Sequence, residues 1–131
     1  MANTTPNLDI SHIATNQNQK EATANSAFDE FDGALTALLV KALPADADYT
    51  LTATEGGEAL GNIAFKITGT ITADRNIIVP DKPKLYIVYN GTTGGFNLVV
   101  KTAAGAGVTV ANAAGYRAVY CDGTDVQQLF V

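Results

Sequence analysis

Short runs rich in Val, Ile and Tyr return about every ten residues through the last two-thirds of this chain, separated by turn sequences such as Asn90-Gly91 and Asp122-Gly123. No other feature limits the possible folds as much. Runs this short are too brief for ordinary helices and fit the strands of a β domain. The expected strands are residues 49–53, 63–68, 70–72, 76–79, 85–89, 96–101, 107–110, 116–121 and 126–131. In Lys84-Leu85-Tyr86-Ile87-Val88-Tyr89, apolar residues occupy both parities. Such a strand is expected to be covered on both faces, by the core inside and by a helix or another subunit outside. Residues 85–89 and 96–101 form the best hairpin pair, although the connection, 90–95, is longer than hairpins favour. Asp122-Gly123 is the stronger turn signal. The expected fold is mainly β: a small antiparallel sandwich or jelly-roll-like domain over residues 49–131, with a β-prism as a further option.

Before residue 44 the period changes. Ala24, Phe28, Phe31, Leu35, Leu38 and Ala42 follow at alternating intervals of four and three residues, along one stripe of an amphipathic helix within 17–43. Ser26 with Asp29 resembles a capping box with the shorter acid. Gly33 costs a helix interior about 1 kcal/mol, so the stripe must pack to persist. Two partners are open to it: the β domain of its own chain, or the same stripe in other copies. The spacing is too brief for a coiled-coil signature to decide between them.

Residues 1–16 read as an extended arm. Pro6 keeps the approach extended, and Leu8, Ile10 and Ile13 are apolar anchors that could reach a neighbouring molecule. Ordering such an arm costs about 1–2 kcal/mol per residue, so it is expected to be mobile until assembly buries those anchors. Residues 44–48, Pro-Ala-Asp-Ala-Asp, read as a solvated linker in which Pro44 stops the helix.

The stock of chemical groups is small: one His, one Cys and no Trp. His12 has no neighbouring His or Cys to share a metal, and Asp46 with Asp48 lacks the ligand series of a calcium loop. The glycine pairs at 56–57 and 94–95, and Gly105-Ala106-Gly107, lack the sequence context of a phosphate cradle. Cys121 cannot form an internal disulfide and sits in an alternating run, as a buried thiol does. No catalytic residue, cofactor or metal is therefore expected. A net charge of −5, with eight Lys and Arg spread singly, disfavours nucleic acid as a partner. No stretch approaches the roughly 18 apolar residues of a membrane-spanning helix, and the start lacks the pattern of a secretory signal.

Charged residues are only 16% of the chain, against about 25% in typical domains. The surface must then be covered by Thr, Asn, Gly and Ala, or be partly hidden by other subunits. Two further readings compete with assembly. Tyr86, Tyr89, Tyr116 and Tyr120 could be the platforms of a carbohydrate-binding module. Asp74, Asp81, Asp122 and Asp125 lie at strand ends, where a sugar hydrolase would need two carboxylates about 5–10 Å apart.

The N-terminal sequence Pro6-Asn7-Leu8-Asp9-Ile10, the polar motif Asn16-Gln17-Asn18-Gln19-Lys20-Glu21, then Ala27-Phe28-Asp29 and Asp32-Gly33-Ala34-Leu35 resemble a segment near the start of tail and minor structural proteins of tailed bacteriophages. Val88-Tyr89-Asn90-Gly91-Thr92-Thr93-Gly94-Gly95-Phe96, Lys101-Thr102-Ala103-Ala104-Gly105 and Tyr120-Cys121-Asp122-Gly123-Thr124 resemble a β module of the same class of virion proteins. The resemblance implies a non-enzymatic virion component made in the cytoplasm of the host cell. Its partners would be other virion proteins of tail, baseplate or capsid, and it would be a homo-oligomer, with a homotrimer favoured. Related fibres often carry a distal receptor-binding part after the shared segments. Since this chain ends at Val131, two shorter roles are expected: a tail-fibre or baseplate attachment protein first, and a capsid decoration protein second. In either, Leu8, Ile10, Ile13, Phe28, Phe31, Leu35 and Leu38 would form the assembly interface.

Overall fold

The computed structural model of the chain describes residues 4–130. A segment of turns leads into α1 (Lys20–Thr36), followed by β1 (Leu38–Ala42), β2 (Tyr49–Thr50), β3 (Ala64–Thr68), β4 (Arg75–Val79), β5 (Lys84–Asn90), β6 (Leu98–Thr102), β7 (Gly107–Val110), β8 (Tyr116–Cys121) and β9 (Val126–Gln128). These strands make two sheets, one in the order β1-β3-β5-β8-β9 and the other β2-β4-β6-β7.

Among the described residues the chain is mostly β with one helix, as its rhythm predicts, but both sheets are mixed rather than antiparallel. Strands β1, β3 and β5 run parallel in one sheet, and β2, β4 and β6 run parallel in the other. Parallel neighbours need a long crossover. Here each crossover contains a strand of the opposite sheet, so the first six strands wind as a short two-sided coil. Leu38 pairs with Ala64, and Ala64 with Ile87, one coil further on. Then β7 folds back on β6, β8 on β5 and β9 on β8, all antiparallel.

The expected hairpin between 85–89 and 96–101 does not form, because β5 and β6 belong to different sheets. Asn90 explains the crossing. Its side chain is fully buried, and Nδ2 donates to the carbonyls of Phe96 (3.0 Å) and Val110 (3.1 Å). Its Oδ1 accepts from the Thr92 amide (3.1 Å) and hydroxyl (2.6 Å). A fully satisfied amide at this point draws residues 90–97 over the end of the core instead of letting them reverse in one plane. The Asp122-Gly123 turn is where the sequence places it, but β9 resumes only at Val126, with Asp122 Oδ1 accepting the amides of Thr124 and Asp125. Residues 70–72 contribute a single bridge, Thr70 to Thr93, rather than a strand.

The helix is shorter than 17–43. Ala37 is already extended and donates its amide to the Gly33 carbonyl, and residues 38–42 are strand β1. Leu38 and Ala42 continue the helical spacing because an interval of four also keeps a residue on one face of a strand. Pairing with β3 then decides the conformation. Residues 44–48 are not a wet spacer either. Asp46 accepts the Thr72 amide and hydroxyl and pairs with Arg75 at 2.8 Å, while Asp48 accepts the Asn76 amide at 2.8 Å. These bonds fasten the first coil to the second.

The N-terminal segment is turned rather than extended. Thr5 donates its amide to the Ile10 carbonyl, Ile10 donates to the Thr5 hydroxyl, and Asp9 pairs with Lys82 at 2.6 Å. Ile10 is only 3% exposed, so this anchor is buried within its own chain; Leu8 is half-buried and Ile13 exposed. The core lies between the sheets, where Phe65, Ile67, Tyr86 and Val119 of one meet Ile77, Leu98, Val100 and Val110 of the other.

Candidate assembly surface

How α1 sits follows from the loop it rests on. Residues 51–61 are folded by Glu58, whose Oε1 accepts from the Tyr49 hydroxyl (2.8 Å) and the Thr52 amide (3.1 Å). Its Oε2 pairs with Lys41 at 3.0 Å, and Thr52 Oγ1 accepts the Glu58 amide. Burial opposes the charge, but the hydrogen bonds from Tyr49, Lys41 and Thr52 outweigh it and hold the Glu58 carboxyl below its ordinary value. Against this loop the helix presents its small and polar side. A Cβ added at Gly33 would stand 2.6 Å from the Gly61 carbonyl oxygen, and Glu30 is the buried residue of the helix.

At about 100° per residue, Glu30 and Gly33 lie opposite Phe28, Phe31 and Leu35 on the helix. The apolar stripe consequently faces outward. Phe28 is 67% exposed and Leu35 70%, with Phe31 also exposed. Of the two partners open to the stripe, its own β domain is therefore not the one it packs on.

The exposed apolar surface continues onto the outer face of the five-stranded sheet. Leu38 and Val40 of β1 are exposed, Val40 by 60%. Residues directly opposite across a sheet share a face, and the row Leu38, Ala64, Ile87, Ala118 runs across four strands. The next row, Val40, Lys66, Tyr89, Tyr116, carries a tilted aromatic pair, Tyr89 with Tyr116 at 5.2 Å, under the Lys66 ammonium at 5.7 Å from the Tyr89 ring. Inside, Lys84, Tyr86, Val88 and Asn90 of β5 are buried, while Leu85, Ile87 and Tyr89 outside are only half-buried. The outer cover expected over this strand is not supplied by the helix.

The four tyrosines separate accordingly. Tyr86 is 0% exposed, its ring is 5.7 Å from Phe65, and burial pushes its hydroxyl well above the ordinary range, so it is no recognition residue. Its parity in β5 places it in the core. Tyr116 and Tyr120 are exposed and Tyr89 is half-buried, all on the outer face. Three of the four acidic residues at strand ends accept backbone amides: Asp74 that of Asn97, Asp125 that of Ala106, and Asp122 those of Thr124 and Asp125. His12 is exposed, and among the described residues no three His, Cys, Asp or Glu side chains are grouped to hold a metal.

Two buried polar residues escape a reading of the sequence alone. Lys84 is 9% exposed, with its ammonium donating to the Asn62 carbonyl at 2.6 Å and lying 4.4 Å from the centre of the Tyr86 ring. Burial lowers its pKa to about 8, with Glu30 acting in the opposite sense. Glu30 looks like one more solvated acid among Asp29 and Asp32. The only signal for either residue is parity: Lys84 shares the face of Tyr86 and Val88, and Glu30 the helix side of Gly33. Compared with family models, curated proteins and solved structures, the chain returns no match.

Proposed function

We propose that this chain is a non-enzymatic structural protein of a tailed-phage virion. In this reading it is a tail- or baseplate-associated attachment component whose copies pack through α1 and the adjoining outer face of β1. The observation that carries the proposal is the outward stripe of Phe28, Phe31 and Leu35, continued by Leu38 and Val40. Its occupant in this reading is a second copy of the same stripe, because of the two partners open to it the chain's own β domain is not the one it packs on. The phage resemblance of residues 6–35 and of the β module supplies the setting, and favours three copies around an axis.

Magnitudes say how strong the association is. Burying a Phe or Leu side chain is worth about 1.5–3 kcal/mol, whereas association costs roughly 4–15 kcal/mol in lost freedom. Three helix side chains alone are marginal. With Leu38 and Val40 added the gain, at most about 7–15 kcal/mol, becomes comparable with that cost, so the free protein is expected to associate in a concentration-dependent way.

Light scattering of the full chain across a concentration series tests the assembly, beside the double variant Phe28→Ser/Leu35→Ser. Removing residues before Pro44 is a poorer test because it also deletes β1. A trimer that the double variant turns into a monomer supports the proposal; a monomer at every concentration removes its basis. Antibody labelling of particles by electron microscopy tests the setting. Labelled tails support an attachment component, labelled heads select capsid decoration instead, and unlabelled particles reject the virion reading.

A further inference from the structure

On the side of α1 away from the apolar stripe, a groove of about 640 Å³ opens between the helix, Ser11 and the loop bearing Glu55, Gly56 and Gly61. That size is within the range of small-ligand sites, about 300–1,000 Å³. Three carboxylates line it: Asp29, Glu30 and Glu55. Among the described residues, the ion pairs are Lys41–Glu58, Arg75–Asp46 and Lys82–Asp9, so none of the three is in a direct ion pair, although Lys84 attracts Glu30 from a greater distance. Glu55 Oε2 accepts the Ser11 hydroxyl at 2.6 Å.

Glu30 is the unusual member. It is 7% exposed, and its Oε1 is buried without a hydrogen-bond partner. Oε2 lies beside Gly56, whose backbone favours the charged carboxylate. Lys84, on the neighbouring strand, directs its ammonium to the Asn62 and Leu85 carbonyls. Burial raises the pKa of the Glu30 carboxyl, and Glu55 adds to the rise, against the pull of the Gly56 amide and Lys84. A buried carboxylate oxygen left unpaired is costly, and a donor brought by a ligand removes that cost.

We infer that this groove is a binding site for an alkylammonium group, carried by a lysine side chain of another protein or by a free polyamine. The choice of ligand follows from the acceptors. A guanidinium asks for two acceptors presented side by side on one carboxylate, and here Oε2 lies against Gly56. A metal ion asks for several converging ligands, and no such group exists among the described residues. A compact ammonium needs one deep acceptor with further negative charge at the rim, which Asp29 and Glu55 supply. Ala22, Thr23 and Gly61 are small enough to admit an alkyl stem.

The site is independent of the assembly proposal, because it uses the opposite side of the helix. The test is to follow the backbone amides of Ser26, Gly56 and Gly61 by NMR on the full chain. Butylammonium, spermidine, N-acetyl-lysine methylamide and calcium chloride are titrated separately at constant ionic strength. Saturable shifts at these amides with butylammonium are expected. A shared response to the lysine amide identifies a protein side chain as the source, and a response to spermidine without the lysine amide identifies a free polyamine. Glu30→Gln is expected to weaken binding about tenfold, the loss of one charge-assisted hydrogen bond. Should that variant misfold, Ala22→Leu fills the groove from an exposed helix position and is expected to abolish the shifts. The inference is overturned by an absence of saturable shifts, by calcium moving these amides more strongly than butylammonium, or by folded variants that bind as the parent does.

Discussion

Replacing Gly33 with alanine should strengthen the helix and weaken the protein. In an isolated helix the change gains about 1 kcal/mol, because alanine loses less backbone freedom than glycine. In the folded chain the new methyl would stand 2.6 Å from the Gly61 carbonyl oxygen, where ordinary contact begins at 3.4 Å. Helix and loop must therefore separate by about 0.8 Å along that line. The obstacle is backbone, held by the Glu58 network and by the Gly61 amide donating to the Gly57 carbonyl at 2.8 Å, so it cannot swing aside as a side chain would. Overpacking of this type costs about 1–3 kcal/mol. Set against the helix gain, the expected net loss is about 1 kcal/mol. Circular dichroism of a peptide spanning 17–37 should show more helix with alanine. Urea unfolding of the full chain should show a lower midpoint, and amide exchange at Gly61 should quicken as α1 lifts. A variant as stable as the parent, with unchanged exchange at Gly61, would show that α1 does not dock through this contact.

Asn90→Asp removes both donors to Phe96 and Val110 and sets a carboxylate against their carbonyls. It is expected to cost about 3–5 kcal/mol by urea unfolding at neutral pH, and to recover part of that in acid where the new group is protonated. The alkaline limb should be shaped by two core residues. Between pH 8 and 10.5 the unfolded chain retains a proton that folded Lys84 has released, so stability should rise with pH by up to about 3 kcal/mol. Above about pH 10 the unfolded chain loses the Tyr86 proton that the fold retains, so stability should then fall. Lys84→Met should flatten the rise, and an equal slope in that variant would remove Lys84 as its cause.

The local part of this structure is legible without coordinates. Residues 107–110 and 116–121 match β7 and β8, and 76–79 and 85–89 fall within β4 and β5, because a period of two in Val, Ile and Tyr is a property of neighbouring residues. The apolar stripe of α1 is legible for the same reason. The pairing of strands is not. Apolar residues on both parities of 84–89 leave open which side of β5 enters the core, so Tyr86 and Tyr89 read alike as possible recognition residues, and nothing in residues 84–90 specifies β3 and β8 as neighbours rather than β6.

Tertiary contact settled the remaining questions. Residues 38–42 satisfied helix and strand spacing alike until β3 supplied hydrogen-bond partners. Asp46 and Asp48 read as linker residues until the second coil brought Thr72, Arg75 and Asn76 to them. Gly33 reads as a defect in the helix until Gly61 lies against it. By itself the sequence determined which residues alternate, which form a stripe and where the chain turns, since those depend on separations of a few residues. Only the tertiary structure decided that the stripe faces outward and that Glu30 is buried at the edge of a groove, because both depend on segments far apart in the chain closing against the same helix.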